Sequence, residues 1–299
     1  MSFGYQVLGF GSGGVGVKYI VASGGDSCGT TGDYKWHKFT GSGTLTVSCA
    51  GNPAGSDTMD YMVVAGAGGS GKYYGGAGGA GGYRESSGAA SGCYTVSPLG
   101  ACVSALSVSC SPGSYPITVG GGGAEAPGPN PGAGSTGSPS TFSTITSAGG
   151  GYGIGSHPGA ADQPAGSGGS GGGGSSGDPG CTGSRGGGAG NTPDTIPLTG
   201  QPQGQPGFTV TSAAIAGASG GALGAGVDRC GGAAATSSID TTPTARAGGG
   251  AGGPCAAGSP GGGGGGAYSQ NGTVNTGGAA GADGADGGSG IVIIRYKYQ

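Results

Sequence analysis

The fold of this chain is decided at residues 60–84, which have the sequence DYMVVAGAGGSGKYYGGAGGAGGYR. The segment begins with a nearly continuous apolar run, which is typical of a strand buried on both faces. It continues as a glycine-rich strip that is interrupted by KYY. Because glycine has no side chain to pack, such a strip favours neither helices nor a conventional core. We therefore expect a β-strand that leads directly into a structure packed through its backbone.

Glycine dominates the whole chain, with 86 of 299 residues, and 18 prolines accompany it. An ordered chain of this kind must offset a backbone entropy of about 1–2 kcal/mol per residue mainly through backbone hydrogen bonds. The candidate geometry is the polyproline II-type helix, which has three residues per turn and leaves its amides free for neighbours. Only residues 281–287 keep the Gly-X-Y register of collagen. A bundle within one chain is therefore expected rather than a triple helix.

Conventional β patterns flank the glycine-rich region. Residues 17–65 contain alternating strands, and the most apolar strand begins at Ile291. We expect the two most apolar strands to pair within one small sheet structure. The predicted fold class is mainly β with almost no α-helix: a small, jelly-roll-like β-sandwich of residues 17–65 and 291–299 that carries an inserted polyglycine II helical bundle, residues 66–290. Weaker strands are expected inside the insertion at residues 94–96, 103–108, 115–119, 141–146 and 208–214.

The charge of the chain and its first residues indicate which classes of binding partner to expect. Charged residues make up 8% of the chain, the net charge is −3, and no basic run occurs, which argues against nucleic-acid binding. The start of the chain has no basic segment and its apolar positions are broken by glycine, so neither a signal peptide nor membrane insertion is expected. Residues 1–16 are expected either to form a first strand or to dock into another protein through Phe3, Tyr5, Val7, Leu8 and Phe10.

Motifs for catalysis, metals and cofactors are weak. Residues 66–72 match GxxxxGK, but Tyr73 stands where a phosphate-binding loop needs Ser or Thr. The two histidines, His37 and His157, adjoin no nucleophile motif, and two carboxylates three residues apart, Asp283 and Asp286, are typical of a solvated loop. We expect a non-enzymatic protein without a cofactor.

Eight cysteines occur without a CxxC pair, which favours disulfides over a zinc site. Cys28 and Cys49 bracket one predicted hairpin, but the pairing cannot be assigned from spacing.

Recognition residues are expected where aromatic or glycine-poor segments interrupt the strips. Tyr and Arg are enriched in binding hot spots, although at strip edges they could equally cover the ends of the bundle. Glycine-poor segments at 191–208 and 228–246 are expected to project as loops from a rigid scaffold. The candidate contacts for a binding partner are Tyr73, Tyr74, Tyr83, Arg84, Asp194, Ile196, Leu198, Gln201, Gln203 and Gln205.

Five blocks of the sequence, in this order, resemble the glycine-rich domain of tailed-phage fibre and adhesin proteins. Their order matches over nearly the whole chain: GDYKWHKFTGSGTLTVSCA (32–50), the stretch at 60–84 quoted above, GSYPITVGGGG (113–123), STFSTITSAGGGYG (140–153) and GGSGIVIIRYKYQ (287–299). The arrangement is also similar in style to the glycine-rich insertion of anaplastic lymphoma kinase receptor ectodomains. Residues 86–112 and 191–208 depart from the family pattern.

The resemblance implies a virion structural protein of the tail-fibre or adhesin type, made in the host cytoplasm and displayed on the virion exterior. Residues 1–16 would then bind other virion proteins, and the loops would bind a host receptor, either a protein or a polysaccharide. Fibres are usually trimeric, so a homotrimer is one option, although a bundle closed within one chain needs no partner. The alternatives are a capsid-exterior decoration or head fibre protein and, from another class, a secreted ice-binding or silk-like protein.

Overall fold

The computed structural model of this chain describes residues 16–100, 103–108, 113–128, 132–155, 163–176, 186–193, 202–211, 216–253 and 258–299. Within these ranges the chain forms β-strands and no helix, as the composition predicted. The strands are β1 (Ile20–Ser23), β2 (Ser27–Thr31), β3 (Tyr34–Phe39), β4 (Gly43–Ala50), β5 (Thr58–Val64), β6 (Tyr83–Glu85), β7 (Leu106–Ser107), β8 (Gly113–Thr118), β9 (Ser140–Phe142), β10 (Ile145–Ser147), β11 (Ala235–Ser237), β12 (Thr244–Arg246) and β13 (Ile291–Lys297).

Two antiparallel sheets form a small sandwich. One has the strand order β1-β4-β8-β9-β10 and the other the order β2-β3-β13-β5-β6, while β11 and β12 form a separate pair. The core between the sheets combines apolar residues from both, including Ile20, Leu45, Ile117 and Phe142 from the first sheet and Phe39, Tyr61, Val63, Val292, Ile294 and Tyr296 from the second.

The two most apolar strands, β5 and β13, pair antiparallel as the sequence predicted, with Ile291 opposite Val64. Their side chains alternate between two cores. Val292 faces the other sheet of the sandwich, whereas Ile291 and Ile293 face a second cluster that includes Ile239 of the glycine-rich region. Both faces of the six-stranded sheet are thus buried at β5 and β13, which explains why these two strands are largely apolar.

The division into sandwich and insertion differs from the expected one. Strands β6, β8, β9 and β10 lie between residues 66 and 290, yet they belong to the two sheets of the sandwich. Residues 94–96 form no strand, and residues 103–108 contribute only the two-residue β7. The insertion therefore returns to the sandwich several times, and some of its glycine-rich strips lead directly into or out of a strand.

The glycine-rich strips are joined by backbone hydrogen bonds in a repeating order. The amides of Gly66 and the next two residues donate in turn to residues 138, 288 and 79, and the next three amides donate to residues 135, 285 and 76 of the same three segments. This strip is therefore bonded to three neighbours with a period of three. Three residues is also the repeat of a polyproline II-type helix, and polyglycine II geometry for the strips stays a prediction.

The strips have a sandwich end and a far end. The strip after β5 turns at residues 72–75 and returns to β6, with Gly71 bonded to Gly76 near the turn and Ala65 bonded to Gly82 near the sheet. Gly16, the first described residue, accepts a hydrogen bond from Asn52 Nδ2 (2.7 Å). Asn52 follows β4 at the edge of the sandwich remote from the bundle. Residue 16 and the turn at 72–75 thus lie at opposite ends of the molecule.

We expect Gly66→Ala to lower the free energy of unfolding by about 1–3 kcal/mol, because a buried Cβ at this position would overlap the carbonyl of Gly121. The matched control is Gly121→Ala, since a Cβ on Gly121 has no atom within 4 Å, and we expect a change within about 0.5 kcal/mol. Urea unfolding of both variants measures the difference. Equal effects would contradict close backbone packing at Gly66.

We expect the free energy of unfolding to decrease at acidic pH because of His37, which is buried in β3. Its Nδ1 lies 2.6 Å from the Gly24 carbonyl oxygen and its Nε2 lies 3.1 Å from the Tyr296 hydroxyl. Burial lowers the pKa of His37 below its usual 6.5, although the bond to Gly24 opposes the shift. The stability that the neutral ring contributes is therefore present above the unfolded-state pKa and is lost as the pH falls through the folded-state pKa.

The test compares urea midpoints at about pH 7.5 and about pH 5.5. We expect the loss of stability on acidification to be smaller in His37→Gln than in the unsubstituted protein. An equal loss in both proteins would assign the acid sensitivity to other groups.

Candidate functional site

The turn at residues 72–75 lies at the far end of the bundle, beside the turn at residues 283–284. The amide of Asp283 donates to the Gly75 carbonyl (3.0 Å), and the amide of Gly284 donates to the Gly71 carbonyl (3.0 Å). Lys72 is bonded in the same way to Gly132 (3.2 Å), which belongs to a third segment. Backbone bonds thus hold together segments that are far apart in sequence.

Tyr73 and Tyr74 are exposed at the tip of this turn, with 51% and 36% of their surface accessible. Their φ angles are +58° and +52°, in the left-handed region that favours glycine. A non-glycine residue in such a conformation costs on the order of 1–3 kcal/mol. In a chain so rich in glycine, two consecutive tyrosines therefore occupy positions where glycine would be favoured by the backbone.

These tyrosines border a cleft of about 580 Å³, which we name the tyrosine cleft. It is lined by Lys72, Tyr73, Tyr74, Gly128, Tyr268, Asp283 and Gly284. The volume is within the usual range of about 300–1,000 Å³ for small-ligand sites. The cleft therefore combines three phenol rings with two charged side chains.

Hydrogen bonds fix the polar groups of the cleft. The Tyr268 hydroxyl donates to Asp283 Oδ2 (2.6 Å). Burial of the phenol raises the pKa of Tyr268, and its bond to Asp283 raises it further, so the hydroxyl stays a donor at physiological pH. Lys72 Nζ pairs with Glu125 Oε1 (2.9 Å), and the amide of Glu125 donates to Asp286 Oδ1 (2.8 Å). One lysine thus stands among three carboxylates at this end.

Three of the predicted receptor contacts have buried side chains. Tyr83 is 1% exposed and Arg84 is 7% exposed, because both belong to β6 and pair with β5. The Tyr83 hydroxyl donates to Glu85, and Arg84 Nε donates to the Thr146 carbonyl. Gln203 is 1% exposed, and its side-chain oxygen accepts a bond from the amide of Ala148. These three side chains hold the scaffold together and are not available to a receptor.

The remaining candidates are divided between the described and the undescribed residues. Gln205 is half-buried, away from the lining of the tyrosine cleft. The other loop candidates lie outside the described residues, as do all the anchor residues: Asp194, Ile196, Leu198 and Gln201, and Phe3, Tyr5, Val7, Leu8 and Phe10. Of the candidates that the structure describes, Tyr73 and Tyr74 alone are among the residues that line the cleft.

Tyr268 was not predicted from the sequence as a site residue, and Asp283 was expected to be part of a solvated loop. The available signal was that Tyr268 follows a long glycine run, in GGGGGGAYSQ, much as Tyr73 and Tyr74 interrupt a strip. A tyrosine next to a glycine strip does not, however, indicate which end of the bundle it occupies.

A family model described as a glycine-rich domain matches residues 40–297. The chain belongs to this glycine-rich domain family. No curated protein matches the chain. The match spans the sandwich strands from β4 onward together with the bundle, so the domain is defined by both parts and not by glycine content alone.

Chemical groups other than the cleft give little evidence for a site. Within the described ranges, no three His, Cys, Asp or Glu side chains are placed to hold a metal ion, and no helix there could cross a membrane. Cys28, Cys49, Cys93 and Cys230 carry free thiols. Cys28 and Cys49 lie on β2 and β4, in different sheets, so the hairpin that they were expected to bracket is not closed by a disulfide.

We expect Tyr73→Gly to be more stable than Tyr73→Ala by up to about 1 kcal/mol, because only glycine adopts the left-handed backbone of this turn without strain. Both substitutions remove the exposed ring, so the comparison isolates the backbone effect. Urea unfolding of the two variants measures the difference. A more stable alanine variant would contradict the left-handed conformation at Tyr73.

Proposed function

We propose that this chain is a tailed-phage virion structural protein of the tail-fibre or adhesin type, exposed on the virion exterior, that binds the host surface through the tyrosine cleft. The observation that carries the proposal is the pair Tyr73 and Tyr74. Their rings are exposed at the tip of the bundle even though the backbone there favours glycine. A purely structural turn would not require aromatic side chains at such positions, whereas recognition does, since tyrosine is enriched in binding hot spots.

The ends of the molecule suit such a role. Residue 16 and the tyrosine cleft are at opposite ends of the described structure. In the proposed arrangement, residues 1–16 attach the chain to other virion proteins and the bundle holds the cleft away from the particle. The distance between the two ends keeps attachment and recognition from interfering with each other.

Recognition in this proposal needs neither an enzyme nor a cofactor. The turn that bears the tyrosines is bonded to neighbouring segments through its backbone, so little conformational freedom is lost when a ligand binds. Tyrosine adds large contact area with few rotatable bonds. Weak single contacts suffice because many copies on one particle raise the avidity.

The test of adhesion uses the labelled full-length chain and a panel of bacterial strains analysed by flow cytometry. We expect binding to a subset of strains and a loss of at least about tenfold in apparent affinity for Tyr73→Ala/Tyr74→Ala, as removal of hot-spot residues produces. Tyr19→Ala is the matched control, because Tyr19 lies next to β1 at the sandwich end. Unchanged binding of the double variant would contradict a role for the cleft.

A second measurement, cryo-electron microscopy of intact particles, locates the chain. The proposal expects density on a tail or fibre with the turn at residues 72–75 pointing outward. Density on the head lattice with that turn facing the capsid would contradict adhesion and favour a capsid decoration.

A further inference from the structure

We infer that the ligand of the tyrosine cleft is a neutral saccharide chain. This inference rests on the proposed function and narrows it from a host-surface receptor to one chemical class. The rings, the hydrogen-bonding groups and the charge of the cleft support it independently.

The rings supply a surface for sugars. Tyr73 and Tyr74 are exposed and Tyr268 is half-buried in the same cleft. One face of a pyranose ring presents a patch of C–H groups, which are weakly positive, and the faces of aromatic rings are weakly negative. Stacking of a sugar on a tyrosine therefore removes apolar area from water while the sugar hydroxyls remain at the edges, where they can form hydrogen bonds.

Two carboxylates at this end of the bundle, Asp283 in the cleft and Glu125 next to Lys72, have an oxygen available to accept a hydrogen bond. Tyr268 occupies one oxygen of Asp283, and Lys72 occupies one oxygen of Glu125. Among the described residues, no donor is bonded to Asp283 Oδ1 or to Glu125 Oε2. Sugar hydroxyls are donors, and hydrogen bonds to a charged acceptor are stronger than those between neutral groups. A ligand rich in hydroxyl groups can therefore donate hydrogen bonds to the carboxylate oxygens that no described residue occupies.

The charge of this end distinguishes neutral from acidic saccharides. Lys72 is already paired with Glu125, while Asp283 and Asp286 add two further negative charges. A saccharide that carries carboxylates or phosphates would place like charges together, which disfavours binding. The tyrosine cleft is therefore expected to select neutral chains.

The first experiment measures binding of the purified full-length chain to immobilised bacterial polysaccharides, grouped into neutral and acidic members, at physiological salt. We expect binding to one or more neutral members and at least about tenfold weaker binding to acidic ones. Tyr74→Ala should weaken binding to the neutral members at least about tenfold, and Tyr19→Ala should leave it unchanged.

A variant that removes one negative charge from the cleft tests the preference for neutral over acidic saccharides directly. Asp283→Asn keeps the size of the side chain and removes its charge. We expect weaker binding to neutral saccharides, because the charged acceptor is lost, and a smaller preference for neutral over acidic members. Thermal unfolding of the variant checks that the fold is intact. If that variant unfolds early, Asp286→Asn, which changes an exposed residue beside the cleft, provides the same test of charge.

A second experiment separates this inference from the proposed function. Bacterial cells that bind the chain are treated either with periodate, which cleaves the diols of saccharides, or with protease. Loss of binding after periodate alone is the expected result. Loss after protease alone, with binding still dependent on Tyr74, would overturn the saccharide inference and leave adhesion standing. Absence of binding both to cells and to polysaccharides would overturn both, and equal binding to acidic and neutral members would overturn the charge selection.

Discussion

The structure depends on direct contact between backbones in the glycine-rich bundle. At most interior positions of the strips, a Cβ atom would overlap a carbonyl group of the neighbouring strip, as at Gly66 and Gly79. Interior strips therefore carry only small side chains, such as those of Ala67, Ser70 and Ala80, and their cohesion comes from amides that donate to three neighbours in rotation. In the interior of the bundle, large side chains can appear only where a strip ends. This constraint explains why the candidate site lies on turns.

The sandwich gives the strips their starting positions. Some strips continue from strands of both sheets, so the distance between two such strands sets the distance between the first residues of their strips. Buried charged side chains of β5 and β13 bind segments between residues 66 and 290 to the face of the six-stranded sheet that lies away from the other sheet. Asp60 accepts bonds from Ser86, Gly88, Ala90 and Ser91, and Arg295 donates to the carbonyl of Ile239. Such fully bonded buried groups hold their surroundings in one arrangement, since any change of partner leaves a charge unsatisfied.

The parts of the fold that were predicted correctly depended on side-chain patterns. The pairing of β5 with β13 followed from two strongly apolar runs, and β3 and β4 followed from alternation. The assignment of Tyr83 and Arg84 to a receptor surface was wrong for a specific reason. Tyrosines flank the strip at residues 75–82 on both sides, but one end returns to a sheet and the other turns into solvent. A tyrosine beside glycine looks the same in sequence at either end.

The sequence by itself determined that this chain has apolar strands around a glycine-rich region and that the region must be held by its backbone. These conclusions follow from which residues have side chains to bury. The tertiary structure alone decided which strips are neighbours, which strip ends are exposed, and that Tyr73, Tyr74, Tyr268 and Asp283 meet in one cleft. The physical reason is that backbone hydrogen bonds are nearly the same for every glycine strip. The sequence of a strip therefore carries little information about its partner, and the sandwich sets the starting positions only of those strips that adjoin one of its strands.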